Sequence, residues 1–225
     1  MTTSITLNVP AGSLILDSVN RRPQKWGSIA TRLNRKLDTT EDEKTILNHE
    51  QFQQQIPDWY PRIYRMIAAM TYGSGLDPED LTQETFMKAY DKLSTFHAGS
   101  SMYTWLYQIA RNTCRDAMRK VKVRRRFKKL VGKQEDEDEL WEPPSPESLD
   151  DNMHRRESLQ LLRKALAQLP EEPRALIVFK DLEEMSYQDI AGIYEIPEGT
   201  VKSRLFKARK QLKEQLEKLG YRHEK

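Results

Sequence analysis

Two short stretches carry side chains that could do chemistry, and their charges are opposite. IPEGTVKSRLFKARK, residues 196–210, sets Lys202, Arg204, Lys207, Arg209 and Lys210 around Val201, Leu205 and Ala208, and no acid follows Glu198 within it. The apolar residues recur at spacings of four and three, so a helix here buries a thin stripe and leaves a cationic surface suited to phosphates. LDPEDLTQETFMKAY, residues 76–90, places Asp77, Asp80 and Glu84 at i, i+3 and i+7. They form one acidic helical face suited to a basic partner. The same carboxylates could instead hold Mg²⁺ in a nuclease or synthase. That chemistry needs a second cluster of His or carboxylates, and His49, His97, His154 and His223 are scattered.

A third set lies in MYTWLYQIARNTCRDAMRK. Tyr103, Trp105 and Tyr107 are candidates for stacking on single-stranded bases. Trp105, Ile109 and Thr113 also share one helical face, so Trp105 is either core and wedge support or a direct base contact. Arg111, Arg115, Arg119 and Lys122 continue at similar spacing, as a helix riding a duplex backbone would carry them. The lone Cys114 excludes an intramolecular disulfide and a multi-Cys zinc site. It reads as a partly buried thiol, with redox sensing the alternative.

The elements that position these residues are helical. Hydrophobic residues make up 37% and charged ones 32%, so modest cores and a very polar surface are expected. β-branched residues are sparse and period-two alternation is absent, which leaves no strand. The net charge of +3 hides strong segregation: residues 111–133 hold eleven Lys or Arg against Asp116, and residues 134–151 hold nine Asp or Glu and no base. No apolar run approaches the ~18 residues of a membrane span. Leu14, Ile15 and Leu16 are too few for a signal peptide, and the reading is cytosolic.

Along the chain, residues 1–44 form an extension in which Trp26, Ile29, Ala30, Leu33 and Leu37 outline a basic amphipathic helix. It could dock on the protein body, on a membrane surface or on a partner. Residues 45–130 read as a helical domain. One segment opens at Asp58 and ends at Gly73, Ser74 and Gly75; a second is capped by Asp77 in a capping box with Asp80; a third follows a break at residues 96–100. Residues 131–155 hold three prolines and little apolar surface, and read as an acidic flexible linker. It could be a passive spacer or could occupy channels built for nucleic acid. In residues 156–225, Leu159, Leu162, Leu166 and Leu169 stripe one helix, and a second runs through PRALIVFKDL. A short helix then opens at Ser186, with Asp189 three on, and Pro197 starts the last. Two helices joined by a tight turn, the second basic, make a helix-turn-helix. Val201, Leu205, Ala208 and Leu212 should pack on Tyr187, Ile190 and Ala191. Lys202, Ser203, Phe206, Lys207 and Lys210 then face outward toward a major groove. The alternative is an ordinary solvated cationic face, against which an exposed Phe206 among five bases argues. The fold class is thus all-α, two small helical domains joined by an acidic linker.

In this order and spacing, DPEDLTQETFMKAY, TFHAGSSMYTWLYQIARNTCRDAMRK, the acidic linker and LPEEPRALIVFKDLEEMSYQDIAGIYEIPEGTVKSRLFKARKQL closely resemble the sigma-70 family. More narrowly, they resemble the extracytoplasmic-function (ECF) sigma factors, which keep only regions 2 and 4. The resemblance covers roughly residues 45–130 and 155–215. It implies a non-enzymatic transcription initiation factor with no cofactor and no metal. Such a factor binds core RNA polymerase at the β′ clamp helices and the β flap, and reads −10 and −35 promoter elements while the duplex melts. An anti-sigma factor is a further partner known in the family. The resemblance carries Asp77, Asp80, Leu81, Gln83, Glu84 and Phe86 onto polymerase contact. It carries Phe96, His97, Ala98, Gly99, Ser100 and Ser101 onto the loop that captures a flipped −10 base. Trp105, Arg111, Asn112, Arg115 and Arg119 fall on the rest of the −10 surface. Tyr187, Lys202, Ser203, Arg204, Phe206 and Lys207 fall on the −35 surface, with Tyr187 and Arg204 near phosphates. The chain departs from relatives at His97, Ala98 and Gly99, where many carry an Arg-Gly-Asp-like centre. It departs again at Glu195, where Gly, Asn or Asp is usual; a positive φ there would cost about 1 kcal/mol. A stand-alone helix-turn-helix regulator is the other reading of residues 156–225. It needs a dimer interface or ligand pocket, a pattern that the N-terminal half lacks.

Overall fold

The computed structural model describes residues 43–96, 101–131 and 153–221. The expectations for residues 26–37, for the loop residues His97, Ala98, Gly99 and Ser100, and for the acidic stretch 132–152 lie outside them.

Among the described residues the chain forms helices α1 (Glu43–Thr71), α2 (Pro78–Asp91), α3 (Met102–Leu130), α4 (Met153–Ala167), α5 (Glu171–Ile177), α6 (Tyr187–Tyr194) and α7 (Glu198–Lys218). A 3-10 turn at Leu93–Thr95 follows α2, and a π-helical stretch at Val178–Leu182 prolongs α5. No described helix is long and apolar enough to cross a membrane. Helix α4 starts at Met153, inside the span assigned to the linker and after the last of its three prolines, Pro146.

Helix α1 does not open at Asp58. It starts at Glu43 and runs through Pro57 and Pro61. A proline inside a helix costs about 3 kcal/mol. Phe52, Ile56, Tyr60, Ile63, Ile67 and Met70 recur at spacings of four and three on one face, and all are buried. Each such side chain contributes about 1.5–3 kcal/mol on burial, so the stripe outweighs both prolines. The helix ends where Gly73 and Gly75 take φ of 74° and 76°, a conformation that glycine adopts without a Cβ clash.

At the start of α2 the Asp77 side chain accepts from Glu79 N at 2.8 Å, so the expected capping box with Asp80 gives way to a tighter turn. Phe86 is buried and stacks on Tyr60, with ring centroids 5.6 Å apart and planes 8° from parallel. Ser101 caps α3 by accepting from Thr104 N at 3.0 Å. The buried face of α3 ends at Cys114, and the basic tail projects beyond it.

The two helical units pack on each other. Glu183, 3% exposed, follows the π-helical stretch and reaches Arg65 of α1 through two hydrogen bonds of 2.8 and 3.0 Å. The Tyr107 hydroxyl donates to the same carboxylate at 2.6 Å. Thr104 donates to Asp189 at 3.0 Å, and Arg174 donates to the Met70 carbonyl at 2.6 Å.

Candidate nucleic-acid interface

The helix-turn-helix is set by local chemistry. Ser186 Oγ accepts from Asp189 N at 3.0 Å and donates to the Asp189 carboxylate, which fixes the start of α6. Glu195 closes α6 at φ 54° and ψ 43°, and Ile196 N donates back to the Ala191 carbonyl at 3.1 Å. The departure from Gly or Asn is therefore met by placing Glu195 in the left-handed region. Pro197 then leads into α7 with extended backbone. Val201, Leu205, Ala208, Leu212 and Leu216 turn inward and are buried.

The opposite face of α7 is open. Phe206 is 70% exposed, and Lys202, Ser203 and Lys207 are exposed beside it. Tyr187 lies half-buried under two ammonium groups, Lys180 at 4.7 Å and Lys202 at 5.2 Å from its ring centroid. Arg204 turns back to Glu172 across 2.6 Å and is not free for a phosphate in this arrangement. Arg209 is likewise held by Asp181. A large aromatic ring in water beside three unburied polar groups is a surface suited to base edges and thymine methyls.

Helix α2 divides its six singled-out residues. Asp80 and Glu84 are exposed and Asp77 is half-buried, so the acidic face exists. Glu84 forms an i,i+4 pair with Lys88 at 2.7 Å. Leu81, Gln83 and Phe86 point into the core and hold the helix in place, because a 3.6-residue period turns them away from the acidic side. Among the described residues no three His, Cys, Asp or Glu side chains gather to hold a metal ion.

Phe96, just past the 3-10 turn, and Trp105 of α3 bring their rings to 5.4 Å, both half-buried, with Ser101 exposed between them in sequence. Tyr107 is not a stacking platform: it is fully buried, because its hydroxyl is committed to Glu183. Tyr103 donates to the Tyr107 hydroxyl at 2.9 Å. Burial, joined by the Glu183 charge, pushes the Tyr107 phenol well above its ordinary pKa. Arg111 lies 4.1 Å over the Tyr194 ring and 3.5 Å from Glu171, an ion pair without hydrogen-bond geometry. Asn112 is half-buried, and Arg115 and Arg119 are exposed. Cys114 is fully rather than partly buried, and desolvation raises its pKa far out of the reactive range, which removes the redox reading.

Sequence reasoning missed Glu183, Arg65 and Asp189 as a group. Arg65 among Ile63, Met66 and Ile67 is a cation beside a buried stripe, the one signal that could have pointed to a buried carboxylate partner. Burial disfavours the Arg65 charge, but the Glu183 hydrogen bonds and charge outweigh it and raise the guanidinium pKa.

Residues 56–136 match the family model described as Sigma-70 region 2, and residues 159–212 match Sigma-70, region 4. The chain is 36% identical over 148 residues to the ECF RNA polymerase sigma-E factor of Salmonella typhimurium, covering 64% of this chain and 75% of that one. The factor of the same description from Escherichia coli K12 is also 36% identical over 148 residues, with the same coverage. Among solved structures, the sigma factor RpoE of Bartonella quintana, in complex with the anti-sigma factor NepR, superposes with a TM-score of 0.54. It is 29% identical and covers 75% of this chain and 98% of that chain.

Proposed function

The chain belongs to the extracytoplasmic-function group of the sigma-70 family, non-enzymatic factors that direct RNA polymerase to promoters, and from that membership we infer that its two basic helices divide the promoter between them. The observation that carries this is α7: Phe206 exposed among Lys202, Ser203 and Lys207, over a face buried from Val201 to Leu216. That helix reads the −35 element, its lysines meeting phosphates and Ser203 and Phe206 meeting base edges. Tyr187 stands beside it, and Arg204 joins once released from Glu172.

Helix α3 and the loop before it handle the −10 element. Phe96, the loop residues through Ser101, and Trp105 accept the flipped base; Arg111 and Asn112 face the melted strand; Arg115 and Arg119 follow the duplex. Core polymerase docks on the acidic face of α2 through Asp77, Asp80 and Glu84, with Leu81, Gln83 and Phe86 supporting that face from below. Residues 45–130 and 156–225 act as the two promoter-binding domains, on either side of the linker at 131–155. The site of action is the cytoplasm. An anti-sigma factor is a fitting partner, as NepR is for the Bartonella protein.

In the packed arrangement Arg111 is engaged by Glu171 and Tyr194, so full use of the −10 surface requires the second unit to move off α3. The test is transcription by bacterial core RNA polymerase on fragmented genomic DNA, with the 5′ ends sequenced. Discrete starts, each preceded by a shared pair of short elements, are expected, and Asp80→Arg should abolish them. Absence of starts with DNA binding intact would point to a stand-alone regulator instead.

A further inference from the structure

Beyond Cys114 the helix α3 runs on past its own core and forms one wall of a groove of about 650 Å³. The wall supplies Lys122, Arg125, Arg126 and Lys129; the facing side supplies Lys164 of α4 and Arg174 of α5. The floor is apolar, built from Tyr72, Met118 and Val121. Six cations therefore face one cleft whose base would accept a large apolar side chain.

Four of these six charges are not balanced locally. No described carboxylate pairs with Lys122, Arg126, Lys129 or Lys164, and the other ion pairs of this region lie elsewhere on the molecule. Arg125 donates to the Ser74 carbonyl at 3.2 Å. Arg174 is 8% exposed, and its guanidinium meets the carbonyls of Met70, Ala167 and Leu169 while its Nε has no partner. Burial lowers the pKa of this guanidinium, the sign of a charge held without full compensation. Like charges converging on a partly desolvated cleft raise its potential and attract an anion.

We propose that this groove is the docking site of the acidic stretch of the same chain, residues 134–142, with Leu140 and Trp141 on the apolar floor and the carboxylates of 135–139 on the cationic walls. The complement is close in kind: Glu135, Asp136, Glu137, Asp138 and Glu139 form an unbroken acidic run directly before the apolar pair. The tether is short. Helix α3 ends at Leu130, next to Lys129, with Val131 as its cap, and Met153 opens α4, whose Lys164 lies across the groove. A tethered segment meets its site at an effective concentration of about millimolar, so weak pairing suffices. A docked segment bridges the two units and shields the α3 tail. The further consequence, that it competes with promoter DNA for Lys122 and its neighbours, rests on the sigma-factor reading; the docking itself does not.

The test uses the full chain carrying Val121→p-benzoylphenylalanine, with Lys129→p-benzoylphenylalanine as a second probe should the first disturb the fold. After irradiation at low salt, crosslinks within one chain into residues 135–142 are expected, and they should vanish when the five acids at 135–139 are replaced by Gln or Asn. The same neutralised chain should bind non-specific duplex DNA about ten-fold more tightly at low salt, since the groove cations are then free for phosphates. Crosslinks between isotopically distinct chains would mean a second copy occupies the groove and would overturn the proposal. So would crosslinks only to other segments, or unchanged DNA affinity together with absent crosslinks. If the neutralised chain still directs polymerase to discrete starts, the promoter reading stands whichever way the crosslinks fall.

Discussion

The two helices proposed to face DNA are made from the same materials and finished differently. Helix α7 buries Val201, Leu205, Ala208, Leu212 and Leu216 within its own unit and leaves Lys202, Ser203, Phe206 and Lys207 to solvent. Helix α3 buries its first half twice, against α1 and α2 on one side and beneath the second unit on the other. Tyr107 and Thr104 bond to Glu183 and Asp189, and Arg111 lies against Tyr194. One proposed reading surface is open as built; the other shares its residues with an interface. The lesson is that a cationic face is available to DNA only when the carboxylates around it are already spoken for. In α7, Arg204 and Arg209 absorb Glu172 and Asp181, which leaves Lys207 to solvent and Lys202 with only a long 4.0 Å pair to Glu198. In α3 the nearby carboxylates Glu171 and Asp116 reach Arg111 and Arg115, two of the residues proposed to meet DNA.

This contrast can be broken most forcefully at Glu183. Glu183→Ala leaves the Arg65 guanidinium buried and unpaired, so denaturant unfolding should show a loss of about 3–5 kcal/mol. The radius of gyration from solution scattering should rise as the units part. Tyr107→Phe removes one hydrogen bond to a charged group and should cost about 1.5–3 kcal/mol in the same assay. Alkaline titration tests the interface without mutation. Burial raises the Tyr107 phenol well above its ordinary pKa of 10.0 and raises that of Tyr64 to about 12. The folded chain thus keeps protons that the unfolded chain has released, and stability is full below pH 10 and falls as the pH climbs toward 12. The phenolate absorbance of Tyr107 and Tyr64 should appear together with unfolding rather than before it. On the open helix, by contrast, Arg204→Ala breaks only an exposed pair worth about 0–1 kcal/mol. Phe206→Ala should leave stability within about 0.5 kcal/mol while weakening −35 binding, measured by fluorescence anisotropy on duplexes carrying the element. A large stability loss there would mean that Phe206 is packed against something, and the contrast would fail.

How legible each half was follows from the range of the forces involved. The helix-turn-helix was open to reading because its signals are local: the four-and-three stripe of α7, Ser186 with Asp189 three on, and Pro197 at the start of the helix. The same locality made the αL turn at Glu195 anticipable. The start of α1 was not, because Pro57 and Pro61 outrank pattern in a short window, and only the tertiary burial of Phe52 and Ile56 overrides them. Leu81, Gln83 and Phe86 were placed with the acidic face by resemblance, although their own spacing turns them inward. The Glu183 interface was beyond local reading, since Arg65 and Glu183 stand 118 residues apart.

That separation has a consequence for inheritance. With the partners sealed from water, a change of Glu183 alone strands the Arg65 charge, a change of Arg65 alone leaves Glu183 only the longer 3.9 Å pair with Arg62, and the chain that carries either is handicapped at once. Tolerated variation at these two positions therefore comes in pairs: both ionic, both apolar, or the two signs exchanged. Among sequences descended from this one, position 65 and position 183 should change hands together or not at all.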